Sequence, residues 1–86
     1  MVEKEVELKN PMGLHARPAV KFVQKATGFV SDIRLIKNGR EANAKSISKV
    51  LTLKIRQLDH ILIHAEGPDE VEALNALVWL LENAPE

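Results

Sequence analysis

Eighty-six residues, 45% hydrophobic and 28% charged, fit one small domain over residues 1–86 that can fold alone around a modest core. Twelve basic and twelve acidic side chains cancel, so the chain has no global attraction to nucleic acid or an anionic membrane, and two Phe and one Trp are too few for a base-stacking surface. The absence of Cys excludes a disulfide framework and a thiolate metal site. With neither an apolar leader nor a long apolar run, the expectation is a soluble cytoplasmic chain.

Val2, Lys4, Val6 and Leu8 share one parity and Glu3, Glu5 and Glu7 the other, as in a half-buried first strand. Asn10-Pro11-Met12-Gly13 breaks it. Ala16, Ala19, Val20, Val23 and Ala26 then recur at helical spacing, Pro18 suits the first helical turn, and Gly28 is a suitable stop. Phe22 and Phe29 are expected to pack nearby. Residues 30–37 read as a second strand and 40–43 as a third, because Asn38-Gly39 is the pair favoured by a two-residue hairpin turn. Ser46 is a candidate N-cap for a short helix with Ile47, Val50 and Leu51 at helical spacing, and Leu53, Ile55 and Leu58 are expected to continue the core. Residues 60–65 read as a strand with apolar residues on both faces. Gly67-Pro68-Asp69 opens a last helix whose buried stripe is predicted as Val71, Leu74, Leu77, Val78 and Leu81, with the lone Trp79 taken up by packing.

The order βαββαβα predicts an α+β fold: an open-faced β-sandwich in which one four-stranded antiparallel sheet carries three helices on a single face.

His15 stands just before the predicted start of the first helix. Its neighbourhood there would hold unpaired helix N–H groups and the positive end of the helix dipole, which suit an anion. A neutral imidazole beside a positive helix end resists protonation and keeps a lone pair free to attack, so such a ring can take a phosphoryl group. Arg17 offers a planar fork of donors that matches phosphate oxygens. The same residues also fit an ordinary strand-to-helix turn with no chemistry.

Gly13-Leu14-His15-Ala16-Arg17-Pro18-Ala19, Ala44-Lys45-Ser46-Ile47 and Asn75-Ala76-Leu77 together resemble the histidine-containing phosphocarrier proteins (HPr) of the bacterial phosphotransferase system, and the likeness covers nearly the whole chain. The resemblance implies that His15 is phosphorylated on Nδ1 by enzyme I, itself charged from phosphoenolpyruvate. It then hands the group to an enzyme IIA, with Arg17 assisting both transfers. It also implies a docking face that includes Ala16, Val20, Ile47, Ser48, Lys49 and Leu51, and a monomeric carrier that needs no cofactor or metal. Ser46 has two readings. It caps its helix, or it is also a target of a serine kinase and phosphorylase, as in some members of the family. Four positions depart from the family's pattern: Ser48 replaces a large apolar residue, Lys54 a glycine or other small residue, Met12 a polar residue, and Val20 a smaller side chain. The alternative of another class is an HPr-like regulatory module, the nitrogen-branch relatives included, whose phosphorylation state is read by partners.

Charge is unevenly spread: residues 1–43 hold eight Lys or Arg against five Asp or Glu, and residues 44–86 four against seven. Lys9, Arg17, Lys21, Lys25, Lys45 and Lys49 are candidates for a basic surface that steers an acidic partner. His60 and His64 share a strand parity and lie too far apart to ligate one metal, roughly 13 Å at about 3.3 Å per residue, so both are expected on the solvent face. A self-sufficient enzyme is not expected, since the chain shows no carboxylate pair, serine–histidine–acid set or glycine-rich phosphate loop.

Overall fold

The computed structural model describes residues 1–9, 13, 14 and 16–83. Strands β1 (Val2–Glu7), β2 (Asp32–Lys37), β3 (Arg40–Asn43) and β4 (His60–Glu66) and helices α1 (Ala16–Thr27), α2 (Ile47–Thr52) and α3 (Glu70–Asn83) follow the order βαββαβα. The strands form one antiparallel sheet in the order β1-β4-β2-β3. Its register places Val6 opposite Ile61, Ile63 opposite Leu35, and Leu35 opposite Ala42, so the apolar parity of every strand lies on one face. That face is buried beneath the helices, and the other carries Glu3, Glu5, Asp32, Arg34, Glu41, His60 and Glu66 in solvent, with Glu7 half-buried. The expected open-faced sandwich is the observed architecture.

Local chemistry explains the joints. Asn38 and Gly39 both take positive φ, 51° and 81°, as a tight hairpin turn of matching twist requires. Ser46 caps α2 from an extended conformation, its hydroxyl accepting from the Lys49 amide at 3.4 Å. Glu70, in the first turn of α3, reaches back to the Gly67 amide at 3.1 Å and takes the Met1 ammonium at 2.9 Å. These bonds, the ammonium's first, hold the Glu70 carboxyl below its ordinary pKa.

The structure corrects several expectations. Strand β2 starts at Asp32, and Val30 is 78% exposed, because the Val30 and Ser31 amides are taken by the Asp69 carboxylate instead of a strand partner. Leu58 leaves the core, 59% exposed, in a turn that needs φ of +71°. Strand β4 carries apolar residues on both faces as expected, Ile61, Ile63 and Ala65 buried and Leu62 half-buried on the open face, and runs on to Glu66. In α1 the residues turned inward are Pro18, Ala19, Phe22 and Ala26, with Phe22 fully buried and Val23 half-buried against the core, while Ala16 and Val20 face solvent. In α3 the inner stripe is Ala73, Leu74, Leu77, Val78 and Leu81; Val71 and Trp79 fall outside it, and Trp79 is 63% exposed. Phe29 packs against the core as expected.

Candidate functional site

The site is built where β1 gives way to α1. Leu8 and Leu14 flank this connection, and both are tied to the single loop between α2 and β4. The Leu8 amide donates to the Asp59 carbonyl at 2.9 Å, the Leu58 amide donates to the Leu8 carbonyl at 2.6 Å, and the Leu14 amide donates to the Ile55 carbonyl at 3.0 Å. Gly13 lies so close to that loop that a Cβ there would meet the Ile55 oxygen at 2.6 Å and the Arg56 Cα at 2.8 Å, and its φ is +68°. Only glycine meets both demands. Gly13 therefore permits a close backbone approach, and what it approaches is the backbone of residues 55 and 56.

Helix α1 begins at Ala16, with Arg17 exposed in its first turn and Pro18 buried. The first-turn N–H groups of Ala16, Arg17 and Ala19 have no carbonyl four residues back within the helix, and Pro18 has no N–H to leave unpaired. His15, and Met12 with it, lie outside the described residues. The remaining candidates fall on two helices that pack against each other, α1 and α2. Ala16, Arg17 and Val20 are exposed on α1, and Ser48, Lys49 and Leu51 on α2, with Ile47 half-buried against the core. Ser46 is half-buried, and its hydroxyl lies 3.3 Å from that of Ser48.

Of the basic residues, Lys9, Arg17, Lys21, Lys25 and Lys49 are exposed. Lys45 is not free: its ammonium donates to the Phe29 carbonyl at 2.7 Å and so ties the β3–α2 turn to the end of α1. His60 and His64 lie on the open sheet face among carboxylates, His64 Nδ1 2.9 Å from Glu3 and His60 Nε2 3.5 Å from Glu7. Among the described residues no group of three His, Asp or Glu side chains is placed to hold a metal, and no helix is long and apolar enough to cross a membrane.

Sequence reasoning missed two polar clusters. Asp69 accepts from the Val30 amide, the Ser31 amide and the Ser31 hydroxyl, and these bonds, led by the hydroxyl's, hold its carboxyl below the ordinary aspartate pKa. Asp59 is likewise held low, first by the Lys37 ammonium at 2.8 Å and then by the Arg56 amide at 2.7 Å. Both pairs join residues far apart in sequence, and no short motif announces them.

Residues 2–83 match the family model described as the PTS HPr component phosphorylation site. The chain belongs to the HPr family. Among curated HPr-family relatives it is 48% identical over 82 residues to the HPr-like protein Crh of Halalkalibacterium halodurans, covering 95% of this chain and 98% of that one. It is 47% identical over 83 residues to the phosphocarrier protein HPr of Mycoplasma pneumoniae, with 95% and 94% covered. Among solved structures, Thermoanaerobacter tengcongensis HPr superposes with a TM-score of 0.93 at 48% identity, covering 95% of this chain and 92% of that one. Bacillus subtilis Crh, described as a dimer with a swapping domain, gives 0.77 at 41%, with 95% and 94% covered.

Proposed function

We propose that this HPr-family chain is a phosphocarrier that accepts a phosphoryl group on His15 from phospho-enzyme I and passes it to enzyme IIA components of the phosphoenolpyruvate-dependent sugar phosphotransferase system. The observation that supports it is the start of α1 at Ala16, which puts unpaired first-turn amides and an exposed Arg17 directly after His15 in the sequence. The Nδ1 lone pair attacks phosphorus, a P–N bond forms, and the bond from phosphorus to the donor breaks with its electron pair leaving to the donor. Transfer to the acceptor reverses these roles. First-turn amides and the Arg17 guanidinium stabilise the negative charge that the phosphoryl oxygens carry throughout. Ala16, Val20, Ile47, Ser48, Lys49 and Leu51 form the partner-docking face in this reading, and the carrier works as a cytoplasmic monomer without a cofactor.

The test is transfer from labelled phosphoenolpyruvate and enzyme I to the wild type and to His15→Ala. Acid-labile label that vanishes in His15→Ala supports the carrier, and an unlabelled, folded wild type overturns it.

Two observations favour a second reading. The similarity to Crh, and the Ser46 hydroxyl capping α2 beside exposed Ser48 and Lys49, fit an HPr-like regulator modified at Ser46 by a serine kinase. A phosphoserine there adds negative charge to the α2 surface and slows approach of an acidic enzyme I. Incubation with such a kinase and ATP, followed by mass spectrometry of wild type and Ser46→Ala, tests it: no phosphate on the wild type overturns the regulatory reading.

A further inference from the structure

The loop under Gly13 is itself held by one side chain from the end of β2, at the edge of the sheet where β1 ends and β4 begins. Lys37, the last residue of β2, extends its ammonium to the Leu53 carbonyl at 3.3 Å, the Lys54 carbonyl at 2.8 Å and the Asp59 carboxylate at 2.8 Å. The same Asp59 oxygen accepts from the Arg56 amide, and the Asp59 amide closes the turn onto the Arg56 carbonyl at 3.1 Å. Lys37 thus clamps the C-terminal end of α2 and the 56–59 turn together.

The clamp opposes local preference. Lys54 and Leu58 both stand at positive φ, 51° and 71°, where a residue with a Cβ is strained. The loop needs outside support to keep this shape, and the Lys37 head supplies it at three points. Nothing else in the proposed transfer chemistry uses Lys37 or Asp59, yet both ends of the connection leading to His15 hang from the loop they hold.

We infer that Lys37 and Asp59 are a positioning pair for phosphoryl transfer, fixing through loop 53–59 the Gly13-Leu14 backbone that presents His15. This rests on His15 being the phosphoacceptor. Neither side chain touches the phosphoryl group; loss of the pair lets the Leu14–Ile55 bond and the Gly13 contact drift, which misaligns the acceptor nitrogen. The docking residues on α1 and in the first turns of α2 are not touched by Lys37 or Asp59, so partner binding is expected to change less than transfer.

The experiment compares wild type, Lys37→Met, Lys37→Arg and Asp59→Asn as substrates of enzyme I, with the amide spectrum of each recorded by NMR. Lys37→Met keeps the stem and loses the charged head. The expected result is a kcat lowered about tenfold with KM within about twofold, since small misplacements of reacting groups are costly. Substantial recovery in Lys37→Arg is expected too, and Gly13 and Leu14 amide shifts in Lys37→Met and Asp59→Asn. Folded Lys37→Met and Asp59→Asn proteins with wild-type kcat and unmoved Gly13 and Leu14 amides overturn the inference. Should Lys37→Met fail to fold, Asp59→Asn, which retains an acceptor for the Arg56 amide, decides by the same readouts. If the wild type takes no phosphate, the carrier reading fails on its own and this inference falls with it; a labelled wild type with an unaltered Lys37→Met kcat sinks the inference alone.

Discussion

One carboxylate oxygen of Asp69 accepts from both the amide and the hydroxyl of Ser31, 38 residues earlier in the chain. The other accepts from the Val30 amide at 2.9 Å. This latch joins the loop after α1 to the start of α3, and Gly67 makes room for it, since a Cβ at Gly67 would lie 2.6 Å from the Ser31 hydroxyl. Ser31 is the one polar side chain among the described residues that is fully buried, and Asp69 is what satisfies it.

Because these bonds favour the ionised carboxylate, Asp69 contributes stability that is present above the ordinary aspartate pKa of about 4 and is lost as pH falls through the lower folded value. Asp69→Asn is therefore expected to unfold at lower urea concentration than wild type at pH 7, with the gap narrowing below about pH 4. Urea midpoints measured from pH 7 to pH 2.5 check it. A gap that stays constant with pH contradicts a role for the ionised form.

Gly13→Ala is expected to cost about 2 kcal/mol or more, from left-handed strain and from overlap with the backbone of residues 55 and 56. Chemical denaturation reads the loss. Wild-type stability in Gly13→Ala would mean that the approach of the two backbones is looser than described.

Leu58 offers the opposite sign. It is exposed at φ +71°, so Leu58→Gly relieves strain while giving up little packing, and the larger freedom of glycine in the unfolded chain offsets part of the gain. The expected net change is a stabilisation of about 0.5 kcal/mol, again by denaturation. A destabilised variant would show that the Leu58 side chain packs to more effect than its exposure implies.

Arg17 is exposed and its side chain makes no hydrogen bond or ion pair among the described residues, so Arg17→Gln is expected to melt as wild type does. In the carrier reading its loss lowers the rate of phosphoryl transfer about a hundredfold, the scale of removing one charge-stabilising donor, with Arg17→Lys between the two. Rapid-quench transfer assays on the three proteins check this. Equal rates would remove Arg17 from the chemistry.

Where the local code and the tertiary demand coincide, the sequence was readable. Asn38-Gly39 specifies its own turn, Pro18 marks the first turn of α1, and Ser46 marks the start of α2; each acts on neighbours within a few residues. Periodicity was less sure about which apolar residues go in. On α1 the template favoured Ala16 and Val20, but the bulk of Phe22 sets the inward direction and turns those two outward. Leu58 and Trp79 are apolar yet exposed, one because a turn fixes its backbone, the other because it falls off the stripe that the sheet covers. The Asp69 latch and the Lys37 clamp were out of reach, since each depends on partners brought close only by the finished fold. At the site the glycine turn, the helix start and the exposed arginine were legible, while the loop that supports them was not.

The strand order β1-β4-β2-β3 has a consequence for how the chain is made. β2 and β3 meet across a two-residue turn, whereas β1 pairs only with β4, Val2 opposite Ala65 and Glu7 opposite His60. During synthesis the amino-terminal strand therefore waits unpaired until almost the whole polypeptide has left the ribosome. Glu3, Lys4, Glu5 and Glu7 make that waiting strand a poor template for a neighbouring nascent chain, so the charges that later face solvent guard the protein before it is complete.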